Sequence, residues 1–242
     1  MSGVEVCKEQ EENDRFIVQM QNSKLSGYPK VERIITAFRN STTYTESPTR
    51  TPVPLFEQFC RTAVLYSEFY QSVLGDNYVC KILQNDIINN SSRAMEAWRR
   101  ESPGSRSVED FLKSQIQLHT LDKIQSNQNS AVIKFLWTVR ATNFIQCFIE
   151  NLISSPKEDL YSSARDAYNK SLKPYHGFVK SGIAVMAFKT IRPKTEIVLS
   201  LGFPDFASAQ EALRRLLFVS KPCIDQINIL LEKHNCNFQH KV

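Results

Sequence analysis

Asp86, Asn90 and Arg93 fall at i, i+4 and i+7. On a helix that spacing brings a carboxylate, a carboxamide and a guanidinium to within about 60° of one another. Trp137 and Arg140, three residues apart, share a face of a second helix. An acid, an amide and a cation hydrogen-bond hydroxyl groups, and an indole stacks beneath a sugar ring. Neither stripe is decisive alone. A solvated helix face carries the same charged series, and a tryptophan in an apolar helix is ordinarily core. The second stripe continues, however, as Ile133, Trp137, Arg140, Phe144 and Phe148. Polar groups at one end give way to apolar ones, which is the order that the headgroup and hydrocarbon of an amphiphile require. His176 adds a hydrogen-bonding ring. Without a Cys, Ser or acid at motif spacing, it is weak support for catalysis.

These residues need helices to position them, and the sequence supplies helical signals almost throughout. Residues 1–30 are polar, with room for one short helix, and Val31–Arg39 suits another. Asn40–Pro54 reads as a Ser/Thr/Pro-rich connection. The spacing of Leu55, Phe59, Ala63, Tyr66, Tyr70 and Val73 predicts an amphipathic helix ending near Gly75. Further helices are predicted over Asp86–Arg100 and, opened by the capping box Ser107–Asp110, to about Gln125. The most apolar helix spans 130–153, and others span Glu158–Leu172, His176–Ile191, Phe206–Val219 and Cys223–His234. A weak strand-like alternation occurs only at Glu196–Leu201.

Composition narrows the class. The chain has 242 residues, of which 42% are hydrophobic, enough for one sizeable core. Fifteen Phe suit a bulky core or an apolar cavity, and only 7 Gly disfavour a turn-rich β architecture or a phosphate-cradling loop. A net charge of +5 favours anionic membrane surfaces mildly and does not argue for nucleic acid. The six cysteines occur singly, with no metal-ligand spacing. The charged N-terminus is unlike a signal peptide, and Lys134 and Arg140 interrupt the longest apolar run. The expectation is a cytoplasmic, all-α, monomeric protein with no cofactor or metal and with unused sequons at Asn40, Asn89, Asn90 and Asn169.

In order and spacing, Asp86-x3-Asn90-x2-Arg93, Trp137-x2-Arg140-x3-Phe144-Ile-Gln146 and Ala167-Tyr-x3-Leu172-x2-Tyr175-His176-Gly177 together resemble the glycolipid transfer protein family. The ending Lys241-Val242 fits as well. The resemblance covers residues 55–242 and leaves 1–54 as an N-terminal extension. It implies a two-layer sandwich of about eight helices around a pocket for a sphingolipid with a sugar headgroup. Asp86, Asn90 and Arg93 would then bind the sugar and the lipid amide, beside Arg140. Trp137 would stack on the sugar, and His176 would hydrogen-bond the amide carbonyl. Phe144, Phe148 and Leu172 would line the hydrocarbon cavity, with Val242 close by. Phe178 and Lys180 would touch the membrane. This chain departs from the family pattern at Arg93, where lysine is usual, at Phe178, where tryptophan is frequent, and at His240, where tyrosine is usual. One extra residue precedes Pro193.

The function so implied is binding of glycosphingolipids and their transfer between membranes, by transient peripheral contact and without chemistry. The alternatives are ceramide-1-phosphate or another sphingolipid on the same fold, a small lipid hydrolase using His176 with Asp86 or Cys147, and a helical interaction module with a collapsed cavity. A sister branch of the family that carries phosphorylated ceramide has a cation at the position of Trp137, so Trp137 favours sugar.

Overall fold

The computed structural model describes residues 29–47 and 49–239. Eleven α-helices occur among them, with one short 3-10 turn and one two-stranded ribbon. The helices are α1 (Pro29–Asn40), α2 (Phe56–Tyr66), α3 (Phe69–Leu74), α4 (Tyr78–Glu101), α5 (Val108–His119), α6 (Leu121–Ser126), α7 (Ala131–Ser154), α8 (Tyr161–Ser171), α9 (Phe178–Phe188), α10 (Lys194–Ser200) and α11 (Phe206–Lys233). The ribbon pairs β1 (Thr42–Tyr44) antiparallel to β2 (Pro52–Pro54), inside the stretch read as an irregular connection. The architecture is the expected all-α sandwich. Its eleven helices exceed the expected eight because two predicted helices are broken and a further short one forms at Lys194–Ser200. Ser67 ends α2 by turning its hydroxyl onto the Val64 carbonyl at 2.6 Å. Thr120, at φ 58°, separates α5 from α6.

Two other expectations change. The segments 206–219 and 223–234 form one helix through Pro222. Proline removes a ladder hydrogen bond, but buried side chains on both sides of it, from Leu213 and Leu216 to Ile224 and Ile227, hold the rod in register. The strand-like hint at 196–201 is incorrect, since Lys194–Ser200 is helical. Its first turn is capped from a distance: Glu158 Oε1 accepts the Thr195 backbone N–H at 2.7 Å. Such a long-range cap leaves no local signature. The local caps follow the sequence. Ser107 and Asp110 form the capping box, and Asn77, Ser130 and Asp205 cap α4, α7 and α11.

Helix α7 is the axis of the fold, packed by α4, α8, α11 and α2. Helix α1, from the segment read as an extension, lies in the same core. Its Val31, Ile34, Ile35 and Phe38 are buried, and Glu32 pairs with the buried Arg215 of α11 at 2.7 Å. No helix among the described residues is long and apolar enough to cross a membrane.

Candidate lipid-binding site

An apolar cavity of about 140 Å³ opens between α3, α4, α7, α8 and α9. Its walls include Phe69 and Tyr70, Ile87, Ala141, Phe144 and Phe148, Ala164, Leu172, and Ile183, Ala184, Ala187 and Phe188 on α9. Apolar cavities of this order stay dry, so hydrocarbon can enter without displacing bound water. At one end the wall becomes polar: Asp86, Trp137, His176 and Lys180 close it.

Each polar group is set by its helix. Asp86, on α4, stands exposed at the rim, but its surroundings are dense enough that desolvation raises its pKa. Lys180 and Lys134 and a hydrogen bond from Asn90 pull it partly back. Asn90, one turn on, is buried. Trp137 is 5% exposed and lies against the His176 ring, with centroids 5.5 Å apart and planes at 27°. The Lys180 ammonium hangs 4.4 Å from the indole centre. His176 Nδ1 is 3.3 Å from the Tyr168 hydroxyl, which donates to Ser181 Oγ at 3.0 Å. Burial, and then the charges of Lys180 and Arg140, hold the imidazole near pKa 4, so it is neutral at neutral pH.

The structure therefore brings together Asp86, Trp137 and His176 at the polar end, with Asn90 hydrogen-bonded to Asp86 but off the cavity wall, and Phe144, Phe148 and Leu172 along the apolar wall. Others lie off the cavity wall, although the Arg140 guanidinium stands 5.0 Å from the centre of the Trp137 ring. Arg140 is 3% exposed and is not part of the cavity wall. Its guanidinium donates to Asn237 Oδ1 at 3.2 Å and to the Phe238 carbonyl, and it lies over Tyr175. Burial lowers its pKa to about 10. Arg93 is exposed and reaches Asn129 Oδ1 at 3.4 Å. Lys180, expected at the membrane, sits over the indole. Phe178 is 95% exposed, and Val179 and Met186 of the same helix are exposed with it. Val242 and His240 lie outside the described residues.

Sequence reasoning missed Lys134, Tyr168 and Tyr70. Lys134 had been noticed only as an interruption of an apolar run. Its place three residues before Trp137, on the same face, was the available signal. Among the described residues, no group of three or more His, Cys, Asp or Glu could hold a metal.

The cavity is apolar along its length and is closed by Asp86, Trp137, His176 and Lys180. The family model for glycolipid transfer protein matches residues 54–203. The chain belongs to the glycolipid transfer protein family. Glycolipid transfer protein 3 of Arabidopsis thaliana is 22% identical over 153 residues, which is 62% of this chain and 64% of that protein. The match thus spans less than two thirds of that relative's length. The structure of human ceramide-1-phosphate transfer protein with 12:0 ceramide-1-phosphate superposes with a TM-score of 0.74 at 19% identity, covering 88% of this chain and all of that one. The fungal glycolipid transfer protein HET-C2 superposes with a TM-score of 0.68 at 18% identity, covering 85% and 100%. At these identities the superpositions establish the shared fold and leave the headgroup open.

Proposed function

We propose that this family member is a carrier, acting from the cytosol as a monomer, that lifts glycosphingolipids from one membrane and releases them into another. The observation that carries the reading is the cavity itself, apolar along α7 and ending at Trp137, Asp86 and His176. Each methylene exposed to water costs about 0.8 kcal/mol, so a lipid leaves a bilayer slowly unless an apolar path is offered. In this reading Asp86 accepts the lipid amide N–H and Asn90 reads sugar hydroxyls. Neutral His176 bonds the amide carbonyl, and the sugar stacks on Trp137. Phe178, Val179 and Met186 contact the membrane on the outer side of α9, whose inner side lines the cavity. That contact must be weak enough to break.

Ceramide-1-phosphate is the second reading, and one observation favours it: the Lys180 ammonium already occupies the neighbourhood of the indole where a sugar would stack. Human and mouse relatives of the same fold are ceramide-1-phosphate transfer proteins by name. A hydrolase has little support. His176 is surrounded by Trp137, Tyr168 and cations, and burial raises the Cys147 thiol pKa, against thiolate formation.

The test is transfer of labelled galactosylceramide between vesicles. Asp86→Val and Trp137→Ala should each lower the rate at least about tenfold, as expected when a charged hydrogen-bonding partner or a stacking partner is removed, while thermal unfolding stays cooperative. Both variants working at the parent rate would remove the headgroup assignment. Lipid recovered chemically unchanged excludes the hydrolase.

A further inference from the structure

The headgroup end carries more positive charge than a neutral sugar calls for. Half-buried Lys134 stands one turn before Trp137 on α7. The charges acting on it are Arg93 and Asp86 from α4 and Lys180 from α9. Lys180 hangs 4.4 Å from the Trp137 ring and acts on Asp86 and His176 as well. Lys134 from α7 and Lys180 from α9 thus both act on the one carboxylate of Asp86, and Arg93 adds its charge beside Lys134. Neither Lys134 nor Lys180 has an ion-pair partner within 4.0 Å among the described residues. Sugar hydroxyls leave the repulsion among these cations in place. An anionic group relieves it and makes charge-assisted hydrogen bonds besides.

The position of the charge says where that anion sits on a ligand. Along α7 the order is Lys134, Trp137, Phe144, Phe148, running from headgroup to hydrocarbon. Three residues of helix advance about 4.5 Å. Lys134 therefore lies beyond the indole, on the side away from the chains. An anion joined directly to ceramide stands nearer the level of His176, whereas one carried on a stacked sugar reaches Lys134.

Resting on the reading of a sugar-headed ligand, we propose that Lys134 and Lys180 form an anion-reading pair that selects glycosphingolipids bearing a sulfate on the sugar. Lys180 moves off the indole as the ring stacks and joins Lys134 at the sulfate. The experiment compares 3-sulfated galactosylceramide, galactosylceramide and ceramide-1-phosphate, each at the same low fraction in phosphatidylcholine donors. Phosphatidylglycerol is added to the galactosylceramide donors to match surface charge. The sulfated lipid should move about tenfold faster than the neutral one, the value of a charge-assisted contact. Lys134→Gln should bring that ratio to within about twofold, and Lys134→Arg should restore most of it. A ratio unaffected by Lys134→Gln, or no preference for the sulfated lipid in the parent chain, overturns the inference and leaves the sugar reading intact. Movement of ceramide-1-phosphate with neither glycolipid moved overturns the sugar reading itself.

Discussion

The two halves of α7 use the same residue type to opposite ends. In its first half, Phe135 meets Phe56, Phe111 and Phe59 at 5.2, 5.6 and 5.8 Å, and Phe56 stacks on Phe111 at 4.0 Å. In its second half, Phe144 and Phe148 meet Tyr70, Phe69 and each other at 6.1, 6.4 and 6.4 Å. The first cluster is closed and the second stands off. The cause lies in what faces the rings. Around the first cluster, α2 and α5 supply further phenylalanines. Around the second, α8 and α9 supply Ala164, Ala184 and Ala187. Aromatic content alone does not make a lipid cavity; the small residues opposite do.

The comparison breaks most sharply on truncation. Phe135→Ala should destabilise the fold by about 3–5 kcal/mol, because it opens a void in a closed cluster. Phe148→Ala should cost less than half as much, since its ring already borders open space. Chemical denaturation measures both, and equal costs would erase the distinction between the halves. Next in size is a filling substitution. Ala164→Trp should slow glycolipid transfer about tenfold while changing stability by only about 1 kcal/mol, because at this wall the added volume meets space rather than packed atoms.

Acid should separate the two regions by pH. At the open end, His176 titrates near 4 in the folded chain against an ordinary 6.5. The unfolded chain takes up its proton first, so stability is complete above pH 6.5 and falls as pH drops toward 4. At the closed end, Lys233, then His234 and Lys113, hold Glu109 down to about 2. That contribution is present above the ordinary 4.5 and is lost as pH falls toward 2. Unfolding midpoints measured from pH 7 to pH 2 should show the higher-pH loss removed by His176→Gln and the lower one by Glu109→Gln. The smallest effect is Glu109→Gln at neutral pH, about 0.5 kcal/mol, because the cluster is partly exposed and screened.

Most of this was legible in the chain. Helical spacing placed Asp86 with Asn90, and Trp137 with Phe144 and Phe148, since one helix fixes which residues share a face. Local chemistry placed the Ser107 capping box. What escaped reading depends on partners remote in sequence. Arg140 shares its stripe with Trp137, but Asn237 and the Phe238 carbonyl hold it behind the indole. Helix α10 needs Glu158, nearly forty residues away, to cap it. The entry of α1 into the core depends on Arg215 at the far end of the chain. Lys134 is visible too, but a cation in an apolar helix speaks first against a membrane span, and only its register with Trp137 links it to the site.

The straight run of α7 past the cavity also has a metric consequence. From Trp137 to Phe148, the last of its residues to line the wall, the helix advances about 16 Å. A rod that rises a fixed distance per residue is a graduated scale, with its zero at Trp137 and its marks at Ala141, Phe144, Ile145 and Phe148. Moving the bulky stop by one turn shifts the end of the scale by about 5 Å. The length of hydrocarbon that fits would then be set by where along this scale the phenylalanines stand, independently of the polar groups beside Trp137.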